Sequence, residues 1–204
     1  MRGWLHIARL TAIASLPLAS FTTAPQSARA AAPDGVFAVE ESGRMPCPAF
    51  VAAKAKNSPA FTRAIGFIEG YISAANRYEA NTFDLSPWHT GQAYGLILEQ
   101  HCKAHASDTI GMAAQRLVAA LQPLRLASPS KLIEVGNGKH KAVLYEAILK
   151  RAQSALARRG LYRGAASGTF DAPTQKAFAA FQSGASLQPT GVPDPATLWK
   201  LLNP

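Results

Sequence analysis

A chain of 204 residues with 21 basic and 12 acidic side chains has room for one or two small domains and carries a net charge of +9. Beyond the first thirty residues no segment is long and apolar enough to span a membrane. The charge is uneven: residues 31–130 balance eight basic against eight acidic groups, whereas residues 131–204 hold ten and four, which points to two modules and an anionic partner for the second.

Arg2 and Arg9 precede an apolar run from Leu10 to Phe21. About twelve residues cannot cross a hydrocarbon core of roughly 30 Å as a helix. Ala28-Arg29-Ala30 then supplies the small-x-small pattern of a cleavage site. Residues 1–30 read as a secretory signal peptide, cleaved after Ala30. Pro17 and the polar Gln26-Ser27 weigh against the alternative, an uncleaved anchor, and no cysteine marks a lipoprotein site. The expected location is periplasmic or secreted, with no transmembrane segment in the mature chain. In that oxidising setting Cys47 and Cys102 are expected to form a disulfide. Closing a loop of about 56 residues contributes roughly 4 kcal/mol in the chain-entropy model. The alternatives are a reactive thiol or a metal site using Cys102 with His101 and His105, although zinc would need further ligands. The expectation is no metal and no cofactor.

Residues 31–44 read as a flexible arm and residues 45–125 as a helical disulfide domain. Phe61, Ile65, Ile68 and Ile72 recur at helical spacing and predict a helix from Ser58 to Tyr78. Gly66 and Gly70 on that helix suggest close packing against a neighbour. Tyr94, Leu98 and Cys102 predict a second helix from Ser86-Pro87 to Ala104. Ile110, Ala114, Leu117 and Leu121 predict a third from Ser107, capped by Ser107 or Asp108. Residues 126–145 read as a linker and a β-hairpin, because Asn137-Gly138 separates two β-prone runs.

From residue 146 to 203 the pattern is helical again, with Gly160 ending the first helix. An internal repeat follows: Gly168, Asp171 and Thr174 recur as Gly191, Asp194 and Thr197. Each Asp should cap a helix, with a Pro in its first turn. The resulting fold class is mainly α: a disulfide-tied helical bundle, a short hairpin and a three-helix domain.

That last segment resembles the first type of peptidoglycan-binding domain. The resemblance is carried by Gln153 and Leu156, by Gly160-Leu161-Tyr162-Arg163-Gly164, and by Gly168-Thr169-Phe170 with Thr174. It continues through Ala177-Phe178, Phe181-Gln182 and Thr190-Gly191-Val192-Pro193-Asp194-Pro195-Ala196-Thr197-Leu198. Ser167, Asp171 and Arg159 depart from the family's usual Asp, Gly and Leu. The resemblance implies peptidoglycan binding, with Tyr162, Arg163, Thr169 and Asp171 as candidate contacts, and Phe170 and Phe181 as core. Residues 45–125 resemble HdeA-type small helical periplasmic proteins through Cys47-Pro48-Ala49-Phe50, Gly66-Phe67 and Cys102. That likeness implies a fold and not an activity.

The expected function is therefore a non-catalytic exported envelope protein that binds peptidoglycan, its helical domain serving a protein partner or a stabilising role. The alternative is a cell-wall hydrolase of lytic transglycosylase or amidase type. Glu40-Glu41-Ser42 is its nearest cue, but an irregular arm cannot raise a glutamate pKa for acid catalysis. A signal peptide argues against nucleic acid as the partner of the basic half.

Overall fold

The computed structural model describes residues 37–203; the expected signal peptide lies outside them. Four helices build the first unit: α1 (Cys47–Ala55), α2 (Pro59–Tyr78), α3 (Gly91–Ala104) and α4 (Ile110–Leu121). Their apolar stripes converge on one core, where Phe50, Ile68, Leu98 and Ile110 are buried together. The Cys47–Cys102 disulfide ties the start of α1 to the end of α3, so neither sulfur is a free thiol or thiolate ligand. Beside it Glu99 receives Lys103 at 2.9 Å and Lys54 at 2.6 Å. Those hydrogen bonds hold the Glu99 carboxyl down at a pKa of about 2.

Four details differ from the sequence reading. The expected arm is ordered at its end: Glu41–Arg44 is a short 3-10 helix seated on α2 and α4. Its Gly43 is buried where a side chain would collide with Val39 and Phe67. The α3 helix begins at Gly91 rather than Ser86, because the Thr90 hydroxyl is what accepts the Ala93 N–H. Likewise Thr109 caps α4, and Ser107 and Asp108 do not. Asp108 is buried instead, its carboxylate meeting His101 at 2.9 Å and Arg116 at 3.3 Å. Gly66 and Gly70 pack against nothing; a methyl group at either would meet no atom within 4 Å.

The hairpin strands β1 (Leu132–Gly136) and β2 (Lys141–Tyr145) pair antiparallel, from Leu132 opposite Tyr145 to Gly136 opposite Lys141. Three helices follow: α5 (Glu146–Arg158), α6 (Ala172–Gly184) and α7 (Pro195–Leu202). Leu156, Phe178, Leu198 and Leu201 form their core with Val135 and Leu144 of the hairpin. The α5 helix closes with the Gly160 N–H on Ala157 and the Leu161 N–H on Leu156, the paired bonds of a Schellman end.

The stretch expected to link the two units is built into both. Leu126 is buried, donates to the Asp84 carbonyl at 2.7 Å and accepts from Phe83 at 2.8 Å. The Ser130 hydroxyl accepts the Ala147 N–H at the start of α5. Trp88, from the loop before α3, lies in the second core and donates its indole N–H to Asn203 Oδ1 at 2.9 Å. His89 stacks on Trp88 and Tyr94 and meets Trp199 edge-on at 5.4 Å. The Arg151 guanidinium of α5 donates to the Leu124 and Arg125 carbonyls. No helix among the described residues is long and apolar enough to cross a membrane.

Two predictions follow from the packing. Both His89 ring nitrogens are buried without a well-formed hydrogen bond among the described residues, and burial, opposed only in part by the nearby Ser86 main chain, pushes its pKa from 6.5 down to about 4. The unfolded chain therefore takes up a proton that the folded chain refuses. Stability should be complete above pH 6.5 and fall as pH drops towards about 4, by about 2 kcal/mol after allowance for partial exposure. Urea titrations at several pH values should show this slope in the natural chain and not in His89→Phe; the same slope in both would assign it elsewhere. Gly70→Ala should raise stability by about 0.5–1 kcal/mol in thermal unfolding, since α2 gains a better helix former and loses no contact.

Candidate functional site

The repeated Gly-x-x-Asp-x-x-Thr loops are each nailed down by a buried glutamine from the preceding helix. Gln153 of α5 accepts the Gly168 N–H at 2.9 Å and donates to the Thr169 carbonyl at 2.9 Å and the Thr174 hydroxyl at 3.0 Å. Gln182 of α6 repeats the arrangement: it accepts from Gly191 at 2.7 Å and donates to the Val192 carbonyl and the Thr197 hydroxyl, both at 2.9 Å. Both glutamines and both threonines are fully buried. Each glycine sits at positive φ, +80° at Gly168 and +72° at Gly191, where a side chain would be strained. Asp171 and Asp194 then cap α6 and α7 through the Thr174 and Thr197 N–H groups. The expected capping role is present, and the glutamine clamp beneath it is the part the repeat alone did not disclose.

Each of the candidate contacts has a defined place in this frame. Tyr162 is buried, and its hydroxyl donates to the Ala165 carbonyl at 3.1 Å, which shapes the turn before the first loop. Asp171 is exposed, but its carboxylate is committed to the Thr174 N–H, and hydrogen bonds from Thr174 lower its pKa. Thr169 has its N–H on Ser167 and its carbonyl on Gln153, leaving an exposed side chain. Arg163 is exposed. Ser167, where the family usually has Asp, holds the loop through that bond from Thr169. Arg159 lies over the Phe181 ring at 5.6 Å and covers the core that a leucine would fill.

Three clefts open on the described residues, and the one that the C-terminal unit lines lies against α5. A cleft of about 420 Å³ runs between α5 and the first unit, lined by Lys150, Arg151, Ser154 and Arg158 of α5 and by Ala166. Trp88, Pro123, Leu124 and Leu202 supply the rest of its wall. None of these residues is acidic. Lys150, Ser154 and Arg158 follow one another at i, i+4 and i+8, a helical stripe that was legible in the sequence. Nothing in the sequence marks where a second unit will close against α5, so the stripe alone does not single out Lys150, Arg151 or Arg158.

Residues 146–201 match the family described as "Putative peptidoglycan binding domain". The match covers the three-helix unit and its two clamped loops, and it does not extend to residues 45–125. Neither a curated protein nor a solved structure is similar enough to the chain to count as a match.

The clamp has a measurable cost of removal. Gln182→Leu is close in size but strands the Gly191 N–H and the Thr197 hydroxyl and leaves the Val192 carbonyl only its bond from the Asp194 N–H. It should cost about 3 kcal/mol or more in urea denaturation. A loss under about 1 kcal/mol would show that the loop holds without it.

Proposed function

We propose that the chain is an exported, non-catalytic cell-envelope protein that attaches to peptidoglycan through residues 146–201. The match of those residues to a peptidoglycan-binding family is the observation that carries the reading. Their surplus of positive charge suits a wall polymer that bears free carboxylates on its peptide stems. The signal-like residues 1–30 and the disulfide fit an oxidising compartment outside the cytoplasm. The helical domain serves an envelope partner or stabilises the wall-bound unit. The non-catalytic reading rests on the use of the reactive groups for structure: Cys102 is bonded to Cys47, and the Asp108 carboxylate is shared between His101 and Arg116.

The test is co-sedimentation of the full exported chain with purified insoluble sacculi, paired with dye release from labelled sacculi. The expected result is sedimentation that weakens as salt rises, without release of dye. Absence of sedimentation at moderate salt contradicts wall attachment. Dye release that disappears in Glu40→Gln or Glu41→Gln contradicts the non-catalytic reading and restores the hydrolase alternative.

A further inference from the structure

The cleft beside α5 carries charge that the protein itself does not neutralise. Lys150 is paired with Glu146 at 2.6 Å. The half-buried Arg151 guanidinium bonds two neutral carbonyls, from Leu124 and Arg125. Among the described residues neither Arg151 nor Arg158 has a carboxylate within ion-pair distance. Two positive charges thus border one partly enclosed space whose lining contains no acid. Burial lowers the Arg151 pKa, as expected of a cation drawn out of water, yet a guanidinium remains charged at any physiological pH.

The geometry also says which part of the chain aims that charge. Arg151 belongs to the wall-binding unit, but the carbonyls that fix it belong to the end of the helical unit. Trp88, Pro123 and Leu124 bring the helical unit to the cleft as a wall, with Trp88 anchored by Asn203. A space of about 420 Å³ is within the ordinary range of small-ligand clefts and takes a short peptide end.

We propose that the cleft is a composite anion site in which Arg151 and Arg158 hold a free carboxylate of a peptidoglycan peptide stem against a wall supplied by the helical unit. The proposal rests on the peptidoglycan-binding reading and deepens it. The helical unit is then a part of the wall receptor and sets what the receptor accepts. A fixed guanidinium is a preorganised donor, so the carboxylate gains charge-assisted hydrogen bonds without ordering a flexible side chain. The apolar faces of Trp88 and Leu202 lie beside it for a small aliphatic stem residue.

The experiment titrates a soluble disaccharide–peptide fragment of peptidoglycan into residues 31–204 and reads tryptophan fluorescence. Trp88 and Trp199 are the two tryptophans of that chain, and Trp88 lines the cleft. A saturable change is expected, with affinity roughly tenfold or more weaker for the same fragment with its carboxylates amidated. Arg158→Glu should abolish the response. Pro123→Glu, on the helical-unit wall, should weaken it about tenfold, whereas the remote Arg63→Glu should leave it unchanged. Equal affinity for the amidated fragment overturns the carboxylate assignment. An unaltered response in Pro123→Glu, with circular dichroism unchanged, overturns the composite site. Equal losses in Arg63→Glu and Arg158→Glu reduce the effect to net charge and also overturn it. Sedimentation of the natural chain with sacculi without any response to the fragment defeats the cleft while sparing wall attachment; absence of both defeats the underlying reading.

Discussion

A primary amide buried in a helix must satisfy its carbonyl oxygen and its two N–H groups without water, and that requirement organises the C-terminal unit. Gln153 and Gln182 each meet it by reaching from a helix to the loop that follows, where a glycine N–H, a main-chain carbonyl and a threonine hydroxyl are gathered around the amide. One side chain thereby fixes the shape of a loop, the entry angle of the next helix and the seating of that helix on the core. Because the arrangement occurs twice, α5, α6 and α7 are positioned by two copies of one device. The first copy also holds the loop that follows Ala166, a residue at the rim of the cleft.

The second constraint is the contact between units. A short segment before α3 sends Trp88 and His89 into the C-terminal unit, and Leu126 pairs with the chain beside them. This contact is mainly aromatic and apolar, with Trp88 to Asn203 as a directional bond and the Arg151 bonds as a polar edge. Such an interface does not behave as a tether between free modules. It forms the far wall of the cleft, and it couples the disulfide-tied bundle to whatever occupies that space.

Much of the fold was readable from the chain. The α2 stripe, the Asn137-Gly138 hairpin, the Gly160 helix end and the disulfide all depend on local spacing or on simple pairing, and local rules reach them. The starts of α3 and α4 differ from the sequence reading because several capping residues compete within a few positions, and the hydroxyls that accept the first-turn N–H groups are those of Thr90 and Thr109. Asp108 looked like a cap and became the partner of His101 and Arg116. Gly66 and Gly70 invited a packing explanation that their exposed face does not support. The site was less legible than the fold. Tyr162 carries the family pattern but spends its hydroxyl inside the turn, and Asp171 spends its carboxylate on a helix end. The cleft depends on Pro123 and Leu124 approaching Lys150 and Arg158 across the fold, and no local pattern encodes that approach.

The central claim is that a wall fragment occupies the space between the two units and not the outer face of the first repeat loop. Heteronuclear NMR of isotopically labelled residues 31–204, with a soluble peptidoglycan fragment added stepwise, locates it directly. The account predicts that the largest shifts fall on Lys150, Ser154, Arg158 and Ala166 and on the Trp88 indole N–H. Shifts confined to Arg163, Thr169 and Asp171, with the Trp88 indole unmoved, would contradict it.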